Sequence, residues 1–249
     1  VLEADQGRHD AADEAFDRAA AIAPDSPALN FARTVAAVRQ GSGRAAEFAE
    51  RLAATVPGDW RSEAAAGLAA EARGDTELAR QAMIRAFDRA LTESDVVLQE
   101  GGLVQVFQFL QRRGLRVEAD QLEGVLHAHG LLPEGVLNVL REIRGEKAEE
   151  CGDYFVLVGG EAPVHAALAT GNARKTGERW CAFVRAYHVI AVGAEEASAE
   201  ALRSEARSGG RNHRVEEVTL CAPLRNQFLG VRFRSGRMFY NQAEEGGGR

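Results

Sequence analysis

GRHDAADEAFDRAAAIAP, residues 7–24, has the spacing of the second helix of a helical hairpin. Ala12 follows the glycine by five residues, Phe16 comes four later, Ala19 three later and Pro24 five after that. Small residues let two backbones approach and one aromatic side chain fills the seam. Proline stops the helix because it brings no amide donor.

The Gly-x-x-x-x-Ala element recurs at Gly41 with Ala46 and at Gly74 with Ala79, so the glycines stand 34 and 33 residues apart. That period belongs to stacked helix pairs. Seven residues after each of these alanines comes another, Ala19, Ala53 and Ala86, which places both on one helical stripe. Between the units there is room for first helices over about 27–40 and 60–73. Asp25 or Ser26 ahead of Pro27, and Asp59 ahead of Trp60, serve as N-caps.

The pattern resembles the tetratricopeptide repeat, closely over about residues 1–90 and loosely over 100–132. There are departures. Glu50 and Met83 stand where the aromatic knob is expected, Asn30 and Glu63 stand where the first helix usually carries a large apolar residue, and Gly114 with Ala119 follows only after an insertion near 92–102. A capping helix is expected from Pro133 to Arg144. The opening residues read as the end of a helix already under way, so more repeat is expected upstream.

The resemblance implies a solenoid whose concave surface takes a protein or peptide partner, lined here by Phe31, Val35, Arg39, Arg61 and Leu68. Of these positions only Arg61 suits a carboxylate clamp, so the implied ligand is an apolar helix or an internal extended segment. The alternatives are an irregular alanine-rich bundle and a groove filled by an adjoining domain.

Charge divides unevenly. Residues 1–149 hold 17 Lys and Arg against 25 Asp and Glu, and residues 150–249 hold 13 against 12. The acidic first half argues against non-specific nucleic-acid binding there and leaves the second half open. With no apolar run long enough for a membrane span and no opening signal segment, the expectation is a cytoplasmic protein with no membrane partner. Cys151, Cys181 and Cys221 fit reduced thiols better than a disulfide framework, and no Cys-x-x-Cys pair suggests zinc.

After a polar stretch at 146–153, read as a linker, the period changes to two. Strands are expected at 154–158, ended by Gly159 and Gly160, at 180–192, at 215–221, and as a hairpin of 228–233 with 238–240. One or two helical turns are expected at 163–169, a basic loop at 170–179 and a helix at 194–207. On the longest strand Ala182, Val184, Ala186, His188, Ile190 and Val192 make the better core face.

The fold class is therefore α+β. An all-α tetratricopeptide-like solenoid over 1–145 precedes a small sandwich-type domain over 154–241, mostly antiparallel sheet with one main helix, and a disordered tail at 242–249.

Candidate chemistry in the second half is thin. A cysteine with His165 or His188 would make a nucleophile and base, yet no spacing joins a particular pair. Gly159 and Gly160 lack the remainder of a phosphate loop. Arg174, Lys175, Arg179 and Arg185 with Phe183 and Tyr187 could combine phosphate contacts with a stacking platform for RNA. The leading expectation is a non-enzymatic adaptor or regulator without a cofactor, its second domain a further docking module. An RNA-binding or Cys/His enzymatic head is the alternative.

Overall fold

The structure is a computed structural model that describes residues 9–163 and 180–240. The expectations for 164–169, 170–179 and 242–249 lie outside the described residues. Among the described residues, eight helices precede an antiparallel sheet, and a ninth helix follows its second strand. The chain forms two compact units, residues 1–109 and 110–249.

In the first unit the helices are α1 (His9–Ile22), α2 (Pro27–Arg39), α3 (Ala45–Thr55), α4 (Trp60–Ala72), α5 (Thr76–Leu91) and the larger part of α6 (Val96–Arg113). Neighbours from α1 through α5 pack on one another in sequence order, and α2 also packs on α4. The expected starts of α2 and α4 are present. Ser26 Oγ accepts from Leu29 N at 3.4 Å, and Asp59 Oδ1 accepts from Arg61 N at 2.7 Å.

The periodic glycines owe their place to backbone conformation rather than to close approach. Gly41 and Gly74 have φ of +65° and +80°, and a Cβ on either would meet nothing within 4 Å. Each stands just past a first helix, where the next amide closes a bond six residues wide, Ser42 N to Ala37 O at 2.8 Å and Asp75 N to Ala70 O at 3.0 Å. A left-handed residue is needed at that point, and glycine adopts it without steric cost.

Close packing is left to the alanines. Ala79, Ala82, Ala86 and Ala90 of α5 are 0% exposed. In α3 the buried stripe is Ala45, Phe48, Ala49 and Leu52, one residue off the expected Ala46 and Ala53. Ala53 is exposed. Phe48 therefore takes the knob position assigned to Glu50.

In the second unit α7 (Arg116–Ala128) and α8 (Glu134–Arg144) precede β1 (Lys147–Pro163), β2 (Trp180–Ala191), α9 (Ala194–Arg207), β3 (Arg211–Phe228), β4 (Gly230–Arg234) and β5 (Met238–Tyr240). The division between units falls between Phe109 and Leu110, inside α6, earlier than the expected linker. That linker is instead largely strand, because β1 runs from Lys147 through Gly159 and Gly160 to Pro163. Gly159 and Gly160 are not a strand-ending turn. A Cβ on Gly159 would strike the Glu216 carboxylate, and one on Gly160 would come within 2.8 Å of the His213 ring.

The sheet order is β3-β1-β2-β4, with β5 also pairing β2. The expected hairpin of 228–233 with 238–240 is absent, because β4 and β5 each pair with β2 at different places along it. β3 lies at the edge and carries three register shifts against β1, together with Pro223.

Helix α9 packs on the sheet. The face toward it holds Val156, Val158, Phe183, Tyr187 and Val189, all 0% exposed, with Arg185 at 6%. This is the opposite face of β2 from the one expected to be core. Polar Arg185 and Tyr187 disguised it, being buried through partners supplied by α9.

Candidate functional site

The residues expected to line a groove in the first unit do not all lie at its surface. Leu68 is 4% exposed and belongs to the interhelix core. Arg61 is folded back on its own N-cap, with Nε 2.9 Å and Nη2 2.7 Å from the Asp59 carboxylate. That pairing raises the Arg61 pKa. Burial pushes the Asp59 pKa up, but the hydrogen bonds and charge of Arg61 prevail and hold it below the ordinary value. Phe31 is half-buried, its ring 5.2 Å from that of Trp60 in an edge-on contact. Val35 is half-buried and Arg39 exposed. Phe31, Val35 and Arg39 recur every four residues along one side of α2 and form the surface part of the expected site.

A cleft of about 170 Å³ opens elsewhere in this unit, lined by Asp13, Phe16, Asp17, Arg33, Arg44 and Phe48 among others. Its charges are largely matched. Arg33 Nη2 lies 2.5 Å from Asp17, and the guanidiniums of Arg33 and Arg44 stand 5.2 and 4.8 Å from the Phe48 ring centre.

In the second unit, Arg185 and Tyr187 are not free to touch RNA, being 6% and 0% exposed. Both bind Glu205 of α9. Arg185 Nη1 lies 3.1 Å from Oε2, and the Tyr187 hydroxyl donates to the same oxygen. Arg237 Nε donates to Oε1 at 2.9 Å. Arg174, Lys175 and Arg179 lie outside the described residues.

The network continues to a part that the sequence did not reveal. Arg234 Nη1 donates to Ser208 Oγ at 2.6 Å and to His127 Nδ1 at 3.2 Å. An arginine can only donate, so His127 Nδ1 is an acceptor, and Nε2 faces Glu123 Oε1 at 3.5 Å. Glu123 Oε2 also accepts from Arg144 at 2.7 Å and Arg207 at 2.8 Å. Helices α7, α8 and α9 are thereby tied to β2 and β4. No spacing rule links residues so far apart in the chain. The one available signal was a surplus of arginine in otherwise apolar strands.

Burial pushes the Glu205 pKa up, but Arg185, Tyr187 and Arg237 outweigh it and hold the group below the ordinary glutamate range. Glu123 behaves alike: burial raises it, while His127, Arg144 and Arg207 bring it down further. Tyr187 is raised by burial and by the Glu205 charge, so it remains a donor. Arg234 has no carboxylate partner, and burial followed by the charge of Arg185 lowers its pKa to about 10.

Ser208, His127 and Glu123 stand in the order of a nucleophile relay. The Ser208 oxygen, however, accepts from both Arg234 and Arg185, the latter at 3.4 Å, and Glu123 is shared with two arginines. Lone pairs so engaged are poor nucleophiles, and the same contacts hold α7, α8 and α9 against the sheet.

A cleft of about 250 Å³ nearby is lined by Arg144, Arg203, Arg207, Glu196 and Glu200 among others. There Arg144 and Arg207 bind Glu123, and Arg203 binds Glu200 at 2.6 Å.

No cysteine is brought to His188, whose Nδ1 lies 3.1 Å from Asp153. Cys151 and Cys181 are partly buried free thiols, and Cys221 is exposed. Among the described residues no group of three or more His, Cys, Asp and Glu side chains is placed to hold a metal ion, and no helix is long and apolar enough to cross a membrane. Comparison with protein-family models, curated proteins and solved structures yields no match to this chain.

Proposed function

We propose that residues 9–109 are a tetratricopeptide-like scaffold that holds an apolar helix or extended segment of a protein partner, and that residues 110–240 serve as a second, non-enzymatic docking module. The observation that carries this reading is the repeated first-helix ending. Gly41 and Gly74, 33 residues apart, take the same left-handed conformation and are followed by the same wide hydrogen bond. The same ending also closes later helices at Gly114 and Gly130, so it is the 33-residue spacing of the first two, with the helices around them packed on one another in chain order, that supports a repeat. Stacked helix pairs present one side of successive first helices to a partner. Phe31, Val35 and Arg39 supply such a side on α2, half-buried or exposed rather than sealed in the core.

Val35 is the position for the test, because Phe31 also holds Trp60 in place. A photo-crosslinker at position 35 is expected to label the partner strongly, and one at Ile84 on α5 weakly. Val35→Arg is expected to weaken partner binding about tenfold or more while helicity stays unchanged. Equal labelling from both positions, or binding indifferent to Val35→Arg, counts against the groove.

A further inference from the structure

Three guanidiniums meet at the C-terminal end of α9 and share one carboxylate. Arg234 Nη1 lies 2.6 Å and Arg185 Nη1 3.4 Å from Ser208 Oγ, and Arg237 Nη2 donates to Ser208 O at 3.1 Å. Among the described residues Glu205 alone forms an ion pair with any of the three, through Arg185 and Arg237. Glu123 is taken up by Arg144 and Arg207. Three cations against one anion leave two positive charges unanswered, in surroundings where charge is poorly screened.

Helix capping accounts for only one of them. Arg237 satisfies the carbonyls of Ser208 and Gly209, as a cation at a helix C-terminus does. Arg234 and Arg185 are 8% and 6% exposed, yet Arg234 Nη2 and Arg185 Nε have no hydrogen-bond partner. His213 Nε2 is a third buried atom without one, and it stands by the same turn. A Cβ on Gly210 would come within 2.9 Å of it and 3.4 Å of Arg237 Nη2. Buried polar atoms are nearly always paired. Orphans gathered at one turn, beside a surplus of positive charge, are what a bound anion would satisfy.

We propose that the turn at Ser208, Gly209 and Gly210 borders an oxyanion site, which takes a doubly charged tetrahedral group of the phosphate class with Arg185, Arg234, Arg237 and His213 as donors. Two charges and several acceptor oxygens supply what the cluster lacks, and a chloride ion would leave donors over. The helix C-terminus opposes an anion by about half a charge, which three guanidiniums outweigh. Ser208 is half-buried and Gly209 exposed, so the cluster meets solvent at this turn. The group has two sources, a free dianion or a phosphoryl group on Ser208 itself. In the second case the turn opens and frees the Ser208 oxygen, which attacks the γ-phosphorus of a nucleoside triphosphate. The bond to the bridging oxygen breaks, the nucleoside diphosphate leaves, and the hydroxyl proton passes to a base of the transferring enzyme.

Thermal unfolding of the full chain at fixed ionic strength is expected to move upward with inorganic phosphate or sulfate and not with chloride. Arg234→Met removes an unanswered charge and should fold, but it should need about tenfold more phosphate for the same shift. Arg203→Met, whose arginine pairs with Glu200 outside the cluster, should respond as the wild type does. In a second arm, a chain with phosphoserine encoded at position 208 should unfold at a higher temperature than the unmodified chain and lose that gain in Arg234→Met. A rise with free phosphate assigns an external ligand, and a gain from phosphoserine alone assigns a modification. No rise in either arm, or equal rises in Arg234→Met, overturns the proposal.

Discussion

Glu205 and Arg234 sit in one network, yet substitution should affect them in opposite ways. Glu205 is wholly enclosed and is the carboxylate that answers Arg185 and Arg237. Glu205→Gln leaves those guanidiniums buried without a counter-charge and is expected to cost about 3–5 kcal/mol in denaturant unfolding. Arg234 has no carboxylate within ion-pair distance, its partners being Ser208 and His127. Arg234→Met relieves a buried cation and is expected to be neutral, or to stabilise by about 1 kcal/mol. Equal losses in the two variants would show that the network is not governed by charge balance.

The same residues set the acid limit. Glu205 and Glu123 both titrate lower in the folded chain than in the unfolded one. The stability they contribute is whole above the ordinary glutamate value of about 4.3, and is lost as pH falls through their depressed folded values. Denaturant midpoints measured from neutral pH down to about pH 3 should fall steeply at the acid end, and Glu205→Gln should flatten that fall.

At the scale of the element, two kinds of glycine should separate cleanly. Gly74 needs its positive φ and has open space around it. Gly74→Ala is expected to cost about 1 kcal/mol, and Gly74→Asn less, since asparagine tolerates the left-handed region. Gly102 is the reverse, for a Cβ there would come 2.7 Å from Ala90 Cβ and 2.9 Å from the Trp60 ring. Gly102→Ala should cost about 2–3 kcal/mol through overpacking, the larger of the two losses in thermal unfolding.

Helix ends of this kind were legible in the sequence because caps and glycines act locally. The starts of α2 and α4 and the whole of α9 fall where Ser26, Asp59 and the residues around 194–207 placed them. The buried face of β2 was not legible. Arg185 and Tyr187 read as surface residues until Glu205, some 20 positions away, is seen to reach them. The start of β1 was hidden for a related reason, as its acidic opening lies on solvent-facing strand positions.

For the whole molecule, the assignment of α7 and α8 to the sheet-bearing unit follows from Glu123, His127 and Arg144, which bind partners on α9 and β4 or on each other. Loosening this clamp should be felt on one side of α6 only. Hydrogen exchange read by mass spectrometry is expected to rise in β2, α9 and α7 of Glu205→Gln, while α4 and α5 keep wild-type protection. Faster exchange spreading through α4 and α5 would show that the two units unfold as one.

The edge strand β3 has a consequence for crowded conditions. Its run is made uneven by three register shifts against β1, interrupted by Pro223, which offers no amide, and studded with Arg214, Glu216 and Glu217. A rim so uneven cannot recruit a stranger's backbone rung by rung. The protein should therefore resist fibril growth from this border at concentrations where a smooth strand of equal length would seed it.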